Sequence, residues 1–283
     1  MNFHQPPNTH IDQVTIKVQD IQRSTKFYQE IIGFKVLDQS QNQAHLTADG
    51  QTPLLTIVQP ENVTPKQPRT TGLYHFAILL PERADLGRIL HHFAQLNIPL
   101  GSSDHLVSEA LYLNDPDGNG IEVYSDKPSA DWTWNGGQVE MAVDPIDARA
   151  ILAEGEGEPW TGLPSKTVMG HLHLHAADLD ETADFYTKGL GFEVVSSLGN
   201  QALFLSTGRY HHHIGLNTWN GTGAPKPAES SAGLKSFNVC FPSQEEKDAA
   251  TNRLKTLGHQ VNIDQDGSIS TEDPSGNKLY LTV

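Results

Sequence analysis

The sequence has a single cysteine, Cys240, among its 283 residues, and one thiol excludes an internal disulfide. Because Cys240 falls in a run predicted to form a strand, we expect a buried structural thiol rather than a nucleophile. Long apolar runs are absent too. No segment approaches the roughly 20 consecutive apolar residues that span a bilayer, and residues 1–10 are polar, unlike a signal peptide. We therefore expect a cytoplasmic protein with no membrane partner.

Positive charge is also scarce. The chain carries 19 Lys and Arg residues against 34 Asp and Glu residues, which gives a formal net charge of −15. Clustered basic residues bind nucleic acids and anionic membranes, so this balance argues against both as partners. The length lies near the upper limit of one hydrophobic core, about 250 to 300 residues, and favours a soluble enzyme or binding protein of two domains.

Four similar passages, each roughly fifty residues long, follow one another, and this length is in the range that marks internal repeats. Each opens with an alternating, strand-like run, at 13–20, 75–79, 171–178 and 236–240. Residues 24–36 return as 182–194, each with Phe-Tyr followed by Gly-Phe, and residues 115–122 return as 273–280, each with Asp-Pro-x-Gly-Asn. Odd modules therefore match odd ones, and even modules match even ones.

Each module is predicted to form a strand, a helix and three further strands (βαβββ). An alternating start precedes a helical stretch, such as residues 85–96, and short alternating runs that end at Gly or Pro. We divide the chain into an N-terminal domain, 9–126, with modules 9–59 and 72–126, and a C-terminal domain, 168–283, with modules 168–219 and 233–283. A Pro- and Gly-rich linker, 127–167, joins them. Its pattern is compatible with one short helix at 147–154.

The pattern resembles the vicinal oxygen chelate superfamily, which includes glyoxalases, bleomycin resistance proteins and extradiol dioxygenases, across nearly the whole chain. The phrases that carry the resemblance are Val-x-Ile-x-Val-x-Asp at 14–20, Phe-Tyr at 27–28 and Gly-Phe at 33–34. The resemblance implies an α+β fold in which four βαβββ modules form two barrel-like domains. In that superfamily two modules pair into one sheet, with metal ligands on the inner faces of its first and last strands.

Strand parity then selects candidate ligands, since alternate residues of a strand face opposite sides and one side packs on the helices. In the third module the apolar residues 172, 174 and 176 pack, which leaves His171, His173 and His175 facing the cavity. The same reasoning turns His75 and Glu122 of the second module inward. Two imidazoles and one carboxylate, here His75, Glu122 and His171, form the facial ligand set of non-haem Fe(II) oxygenases. Mn(II) could occupy the same set, whereas Zn(II) would suit a hydrolase or lyase.

The completeness of this set decides which modules we expect to share a barrel. Pairing neighbours along the chain gives no complete set, because the fourth module has Ser236 and Tyr280 where the second has His75 and Glu122. Pairing the second module with the third brings all three ligands into one barrel. The first and fourth modules then form a metal-free barrel that contains Gln13, Ser236 and Tyr280. We predict this second pairing.

A resemblance within the superfamily points to an acid–base residue. The run 210–216, Tyr-His-His-His-Ile-Gly-Leu, resembles the passage that carries the acid–base histidine of type I extradiol ring-cleaving dioxygenases. Carried over, that residue is His212. Regular strand alternation would instead turn His211 and His213 inward. A bulge or a late strand start would remove this conflict. His213 is the alternative candidate for the acid–base residue. The same resemblance makes Tyr112, ten residues before Glu122, a hydrogen-bond donor to the substrate.

Further polar residues near these positions are candidates for contacts with the metal ligands or the substrate. We expect His173 and His175 to contact the ligands or the substrate, with His173 as a catalytic candidate. Asp104 and His105 lie close to where the resembling dioxygenases have additional polar substrate contacts. The positions of the tryptophans relative to the cavity do not follow from the sequence.

The chain also resembles the bacterial two-domain catechol-2,3-dioxygenase-like proteins of the glyoxalase family, in Gly-Leu-Tyr-His-Phe at 72–76 and Gly-His-Leu-His-Leu-His at 170–175. It departs from ordinary extradiol enzymes, in which the third and fourth modules supply all three ligands. The resemblance implies an Fe(II)-dependent extradiol dioxygenase that acts on a catechol-type aromatic diol with dioxygen.

Two other classes remain open at this point. A glyoxalase-type isomerase or lyase would use Gln13 as a third ligand beside the histidine and glutamate of the second module, with zinc or nickel. A metal-free binding protein of the resistance type would need only an apolar cavity. For any of these, exposed sheet edges favour a homodimer.

Overall fold

The structure, a computed structural model, describes residues 2–283. In chain order the strands are β1 (His10–Lys17), β2 (Lys35–Gln39), β3 (Gln43–Thr47), β4 (Pro53–Val58), β5 (Gly72–Leu79), β6 (Gly101–Asp104), β7 (Ser108–Asn114), β8 (Gly120–Asp126), β9 (Trp134–Asn135), β10 (Gln138–Val139), β11 (Val168–His175), β12 (Glu193–Leu198), β13 (Ala202–Ser206), β14 (Ile214–Asn217), β15 (Gly233–Cys240), β16 (Val261–Ile263), β17 (Ile269–Glu272) and β18 (Lys278–Thr282). The α-helices are α1 (Ile21–Phe27), α2 (Arg83–Gln95), α3 (Ala148–Glu154), α4 (Leu179–Asp184) and α5 (Gln244–Thr256). Helices α1 and α4 continue into π-helical turns, Tyr28–Ile32 and Phe185–Gly189, and a 3-10 turn covers Ser129–Asp131.

Two eight-stranded sheets dominate the fold. One, which we call the 2/3 sheet, has the strand order β12-β13-β14-β11-β5-β8-β7-β6 and combines the second and third modules. The other, the 1/4 sheet, has the order β16-β17-β18-β15-β1-β4-β3-β2 and combines the fourth and first modules. In each sheet the first strands of the two modules pair antiparallel at the centre. The strand order confirms the α+β fold with two barrel-like sheets, and it confirms the pairing of the second module with the third.

Strand parity correctly separates the packed side of the 2/3 sheet from its open side. Leu172 and Leu174, which parity assigned to the helix side, and Phe76 and Ile121, which adjoin His75 and Glu122 in their strands, are completely buried in one hydrophobic core that extends across both sheets. Because this side is dry and apolar, the polar residues that alternate with them must lie on the opposite, concave side.

The linker between the second and third modules packs against the second module. The helix compatible with residues 147–154 is α3, which Asp147 caps by accepting a hydrogen bond from the N–H of Ala150. Helix α3 lies on α2, the helix predicted at 85–96. A Cβ atom at Gly87 of α2 would lie 2.3 Å from the carbonyl oxygen of Ile151, so only glycine permits this close approach.

The motifs that reveal the repeat tie the two sheets together. The hydroxyl of Tyr28 in the first module donates to Asp115 Oδ2 in the second at 2.8 Å. The hydroxyl of Tyr186 in the third module donates to Asp273 Oδ2 in the fourth at 3.0 Å. Each bond joins a module of one sheet to a module of the other, so the repeated Phe-Tyr and Asp-Pro-x-Gly-Asn phrases act in assembly rather than in chemistry.

We expect Asp115→Ala to lower the free energy of unfolding by about 3 kcal/mol or more. Besides Tyr28, the buried carboxylate accepts hydrogen bonds from the side chain of Asn119 and from the backbone N–H groups of Asp117 and Asn119. Each buried donor left without a partner costs about 1–3 kcal/mol. Urea denaturation of Asp115→Ala and of Asp49→Ala measures the difference. Asp49 also accepts three hydrogen bonds, but in a turn at the surface. Equal losses in the two variants would contradict the assembly role.

The structure tests two expectations that rest on what the sequence has little of, namely cysteine and long apolar runs. Cys240 is the last residue of β15 and is only partly buried. The prediction of a buried thiol is therefore wrong. The reason is parity: Phe237 and Val239 pack, which places Cys240 on the open face. The burial that remains raises the pKa of the Cys240 thiol, which keeps it protonated. No α-helix in residues 2–283 is long and apolar enough to cross a bilayer.

Candidate metal centre

Three neighbouring strands at the centre of the 2/3 sheet place His75, Glu122 and His171 around the small side chain of Ala77. Ala77 pairs with Glu122 in the parallel β5–β8 ladder and with His171 in the antiparallel β5–β11 ladder. His75 precedes Ala77 by two residues and therefore lies on the same face of β5. The three side chains converge above Ala77 because the methyl group leaves the space between them free.

The three residues form a compact, buried group. The Nε2 atoms of His75 and His171 lie 3.0 Å and 3.1 Å from the same oxygen, Oε2 of Glu122. One candidate ligand atom from each residue can be chosen so that all three lie within 4.8 Å of one another. Relative exposures of 5% for His75, 2% for Glu122 and 1% for His171 show that bulk water does not separate them.

Burial and mutual contact set the charges of this group. Burial favours the neutral form of Glu122, but the adjacent imidazoles of His171 and His75 outweigh it and hold the pKa of Glu122 well below its usual range. Burial lowers the pKa of His171 to about 4, against the opposing effect of Glu122. At neutral pH a carboxylate therefore lies beside a neutral imidazole. These are the protonation states in which both groups bind metals.

The arrangement fits a divalent cation. His75 Nε2 is buried and makes no hydrogen bond despite its proximity to Glu122. Buried polar atoms of folded proteins nearly always have partners. A metal ion that accepts lone pairs from two imidazoles and one carboxylate would satisfy the convergent atoms and leave its other positions open to ligands from the cavity.

A cavity of about 560 Å³ opens beside the three residues. Its polar base includes His75, Glu122, Tyr112, His173 and His212. Its walls are mainly apolar and include Tyr74, Met141, Val143, Leu198, Phe204 and Trp219. The volume falls within the roughly 300–1,000 Å³ that is usual for small-molecule sites.

His212 lies in a loop that strand alternation does not govern. Strand β14 begins only at Ile214, so a late strand start, one of the two explanations for the parity conflict, is correct. His212 lines the cavity, and its ring centre lies 4.0 Å from that of His171. His213, the alternative candidate, lies outside the cavity lining, with Nδ1 3.1 Å from Ser206 Oγ. Burial and the neighbouring imidazoles lower the pKa of His212 well below its usual value, so its ring is neutral at neutral pH.

Tyr112 lies in β7 between the buried residues Leu111 and Leu113 and lines the cavity, and its hydroxyl oxygen lies 2.5 Å from His105 Nε2. His105 Nδ1 lies 2.7 Å from the carbonyl oxygen of Ala142 in the linker, so Nδ1 donates and Nε2 accepts from the tyrosine. Burial raises the pKa of Tyr112 well above its usual value, and the hydroxyl keeps its proton. Asp104, in contrast, does not line the cavity and pairs with Lys127 at 2.7 Å.

The other two histidines of β11 have different surroundings. His173 lines the cavity, with its ring centre 5.0 Å from that of His75 and its Nε2 buried without a partner. His175 lies outside the lining and forms a hydrogen bond through Nδ1 with Asn217 Oδ1 at 2.7 Å. Only His173 of this pair is therefore placed to contact a bound molecule.

Sequence reasoning left the apolar walls unassigned. Tyr74, Phe204 and Trp219 come from the second and third modules, and Met141 and Val143 come from the linker. None of them occupies a ligand position of the repeat, and the linker has no counterpart in the other half of the chain. Periodicity therefore carried no signal for these residues, and only the folded arrangement shows that they share a cavity.

The 1/4 sheet does not complete a second metal group from the residues considered for it. Gln13 Nε2 donates to Thr56 Oγ1 at 2.9 Å, and Gln13 Oε1 accepts from Asn238 at 3.1 Å. Gln13 lies in β1, and Ser236 and Tyr280 lie in β15 and β18 of the same sheet. Gln13 therefore does not share a barrel with the histidine and glutamate of the second module. The ligand set considered for a glyoxalase-type enzyme is not formed.

The fold and the paired modules define the class of protein. The sequence model of the Glyoxalase/Bleomycin resistance protein/Dioxygenase superfamily matches residues 10–123 and 168–281. These two ranges cover most of the chain, and each includes two of the four modules. The chain belongs to this superfamily.

Individual relatives are close enough to compare along the whole chain. The sequence is 44% identical over 278 residues to Catechol-2,3-dioxygenase of Bacillus subtilis (strain 168), covering 97% of each chain. Among solved structures, a Bacillus subtilis subsp. subtilis str. 168 protein with a provisional dioxygenase name superposes with a TM-score of 0.66 at 15% identity, over 97% of this chain and 84% of that one. Glyoxalase I from Zea mays superposes with a TM-score of 0.59 at 17% identity, over 96% and 92%. The two structures support the fold alone.

Proposed function

We propose that this protein is an Fe(II)-dependent extradiol dioxygenase that cleaves the ring of a catechol-type aromatic diol with dioxygen. The observation that carries the proposal is the convergence of His75, Glu122 and His171 beside a cavity that also contains His212 and Tyr112. The relative of 44% identity, which is named Catechol-2,3-dioxygenase, supports the same reaction class.

His75, Glu122 and His171 would hold the metal, with two neutral nitrogens and one carboxylate oxygen as donors. Fe(II) held by these residues would supply coordination positions for the diol and for dioxygen and would lower the pKa of the hydroxyl groups that bind it. Mn(II) suits the same donors. Because the three residues are buried on paired strands, they would change position little when a ligand enters.

His212 would act as the general base and acid of the reaction. Its neutral ring accepts the proton of a diol hydroxyl as the substrate binds and returns that proton later in ring opening. A positioned group of this kind typically contributes about 10²- to 10⁴-fold to the rate. The position of His212 against His171 keeps this proton transfer next to the metal ligands.

Tyr112 would orient the diol. Its hydroxyl stays protonated and lies 2.5 Å from Nε2 of His105, which also lines the cavity, so it can share its proton with a diol oxygen or with His105. The carbonyl group of Ala142 fixes the His105 ring, and this connects the linker to the site. His173, with its unpartnered Nε2, is the second polar contact that we assign to the substrate.

The apolar walls would exclude water and accept the ring. Phe204 and Trp219 offer aromatic faces, and Val143 and Leu198 lie at exposed positions of the cavity wall. A flat aromatic diol is complementary to such walls, because aromatic rings pack on one another by stacking or by edge contact. Burying the ring also strengthens the electrostatic interactions at the polar base.

Dioxygen uptake tests the proposal. The protein is loaded with Fe(II) under anaerobic conditions, and catechol and several substituted catechols are supplied one at a time in buffer that contains dioxygen. We expect uptake together with a yellow ring-opened product. Controls without protein and without Fe(II) measure autoxidation of the diol. Protein with one bound Fe(II) that consumes no dioxygen with any of the diols would refute the proposal.

A further inference from the structure

A chain of hydrogen bonds leads from His212 away from the cavity to a carboxylate. His212 Nδ1 lies 2.8 Å from Nδ1 of the adjacent His211. His211 Nε2 lies 2.8 Å from Asp126 Oδ1. Asp126 is the last residue of β8, the strand that also carries Glu122, so the chain of bonds spans the second and third modules. Neither Asp126 nor His211 lines the cavity.

The chemistry of each group decides which atom donates and which accepts along this chain of hydrogen bonds. An ionised carboxylate can only accept, so His211 Nε2 must carry a proton. In its neutral form the His211 imidazole has a single N–H, so His211 Nδ1 is then an acceptor. His212 must therefore donate from Nδ1, which leaves its Nε2 without a proton. A base in the cavity needs this tautomer.

The surrounding packing holds the middle of the chain in place. The ring of His211 is completely buried, with its centre 4.0 Å from that of Tyr210 and 5.2 Å from that of Trp132. The Tyr210 hydroxyl also donates to Asp126 Oδ1, at 3.3 Å. His211 therefore cannot turn away from Asp126 without disturbing two large aromatic side chains.

We propose that Asp126 and His211 are positioning residues that hold His212 in the Nδ1–H tautomer and so keep its Nε2 ready to take a proton from the substrate. The proton moves from the diol oxygen to Nε2, which breaks the O–H bond and forms an N–H bond. The N–H at Nδ1 stays bonded to His211 throughout. When the proton is returned, the original tautomer is restored. The catalytic part of this inference rests on the proposed function, whereas the tautomer itself does not.

The first test reads the tautomer in metal-free protein, without any reaction. Histidine labelled with ¹⁵N reports by NMR which ring nitrogen carries the proton. We expect His212 to be protonated at Nδ1 in the unaltered protein. His211→Phe removes the acceptor and should shift His212 towards the Nε2–H form. His211→Asn places an amide oxygen where Nδ1 of His211 stood. This acceptor should restore the Nδ1–H form of His212. An unaltered protein with His212 protonated at Nε2 would overturn the inference.

The second test uses the iron-loaded enzyme. We expect His211→Phe and Asp126→Asn to lower kcat about 10²-fold, the lower end of a general acid–base contribution, with KM for the diol unchanged. His211→Asn should recover most of kcat. Asp131→Asn is the matched control, because Asp131 is an exposed carboxylate five residues along the chain, and it should leave kcat unchanged. Unchanged kcat in Asp126→Asn and His211→Phe would also overturn the inference.

The two tests separate the possible failures. If the unaltered protein shows the Nδ1–H tautomer but no diol consumes dioxygen, the proposed function fails and the positioning of His212 stands. If dioxygen is consumed but the tautomer is Nε2–H, the proposed function stands and the positioning fails. Should His211→Phe not fold, Asp126→Asn and the spectrum of the unaltered protein decide the question.

Discussion

Replacing His171 with alanine should remove tight Fe(II) binding from this protein. His171 is the only candidate ligand from the third module, and its Nε2 lies 3.1 Å from the oxygen of Glu122 that His75 also approaches. A facial set of three donors that loses one cannot hold iron well. Mutating a residue that only supports a ligand lowers metal affinity by about 10- to 100-fold. Losing a ligand itself should lower the affinity further. Dioxygen uptake should disappear with the iron.

The neighbouring histidine provides a matched control. His173 lies on the same strand and the same face as His171, is nearly as buried, and has its ring centre 5.0 Å from that of His75. We expect His173→Ala to bind one Fe(II) per chain, while substrate binding weakens. Anaerobic titration with Fe(II), followed by metal analysis after desalting, compares the two variants. A His171→Ala protein that keeps one iron would disprove the site shared between modules.

Replacing Gly120 with alanine should damage the metal centre without touching any ligand. Gly120 pairs with His75 in the β5–β8 ladder, and a Cβ atom there would lie 2.2 Å from the carbonyl oxygen of Tyr74 and 3.0 Å from the Cβ of His75. Since the clash is with backbone, the two strands must separate. Overpacking of this kind costs about 1–3 kcal/mol, and ligand positions tolerate shifts of only about 0.5 Å. We expect reduced stability and at least about a 10-fold loss of iron affinity.

A second glycine of the same sheet tests whether the clash is the cause. A Cβ atom at Gly101 would have its nearest neighbour at 3.4 Å, on the side chain of Tyr112, which is ordinary contact. Gly101 also lines the cavity, so Gly101→Ala adds the same methyl group to the same region. It should leave iron affinity and thermal stability close to those of the unaltered protein. Equal losses in the two variants would show that added bulk near the site, rather than separation of β5 and β8, is responsible.

The strongest sequence signals and the site residues belong to different parts of the structure. The Phe-Tyr and Asp-Pro-x-Gly-Asn phrases recur because Tyr28 and Tyr186 each bond to a buried aspartate of the other sheet. The candidate ligands do not recur, because only the second and third modules carry them. A repeat search therefore finds the architecture, and the differences between the repeats indicate where the chemistry lies.

Alternation within strands was sufficient for the candidate ligands. Glu122 lies between the buried residues Ile121 and Val123, and His75 and His171 are each followed by a completely buried apolar residue, Phe76 and Leu172, so the direction of the three side chains follows from the period of two. The same rule failed for His212, because that residue precedes the start of β14. The position of Cys240, in contrast, follows the rule, because Phe237 and Val239 pack and Cys240 lies on the open face of β15. Parity gives the side of the sheet but not the depth of burial on that side.

The sequence by itself determined the modules, their βαβββ order, the packed face of the strands that carry the candidate ligands and, through the incomplete ligand sets of the other pairing, which modules share a sheet. Only the tertiary structure decided that Tyr74, Trp219 and the linker residues Met141 and Val143 enclose one cavity, and that Asp126 reaches His212 through His211. The physical reason is that periodicity reports contacts between each strand and its own packing layer. Loops and linkers have no period, and their contacts are settled when the two sheets and the linker pack together.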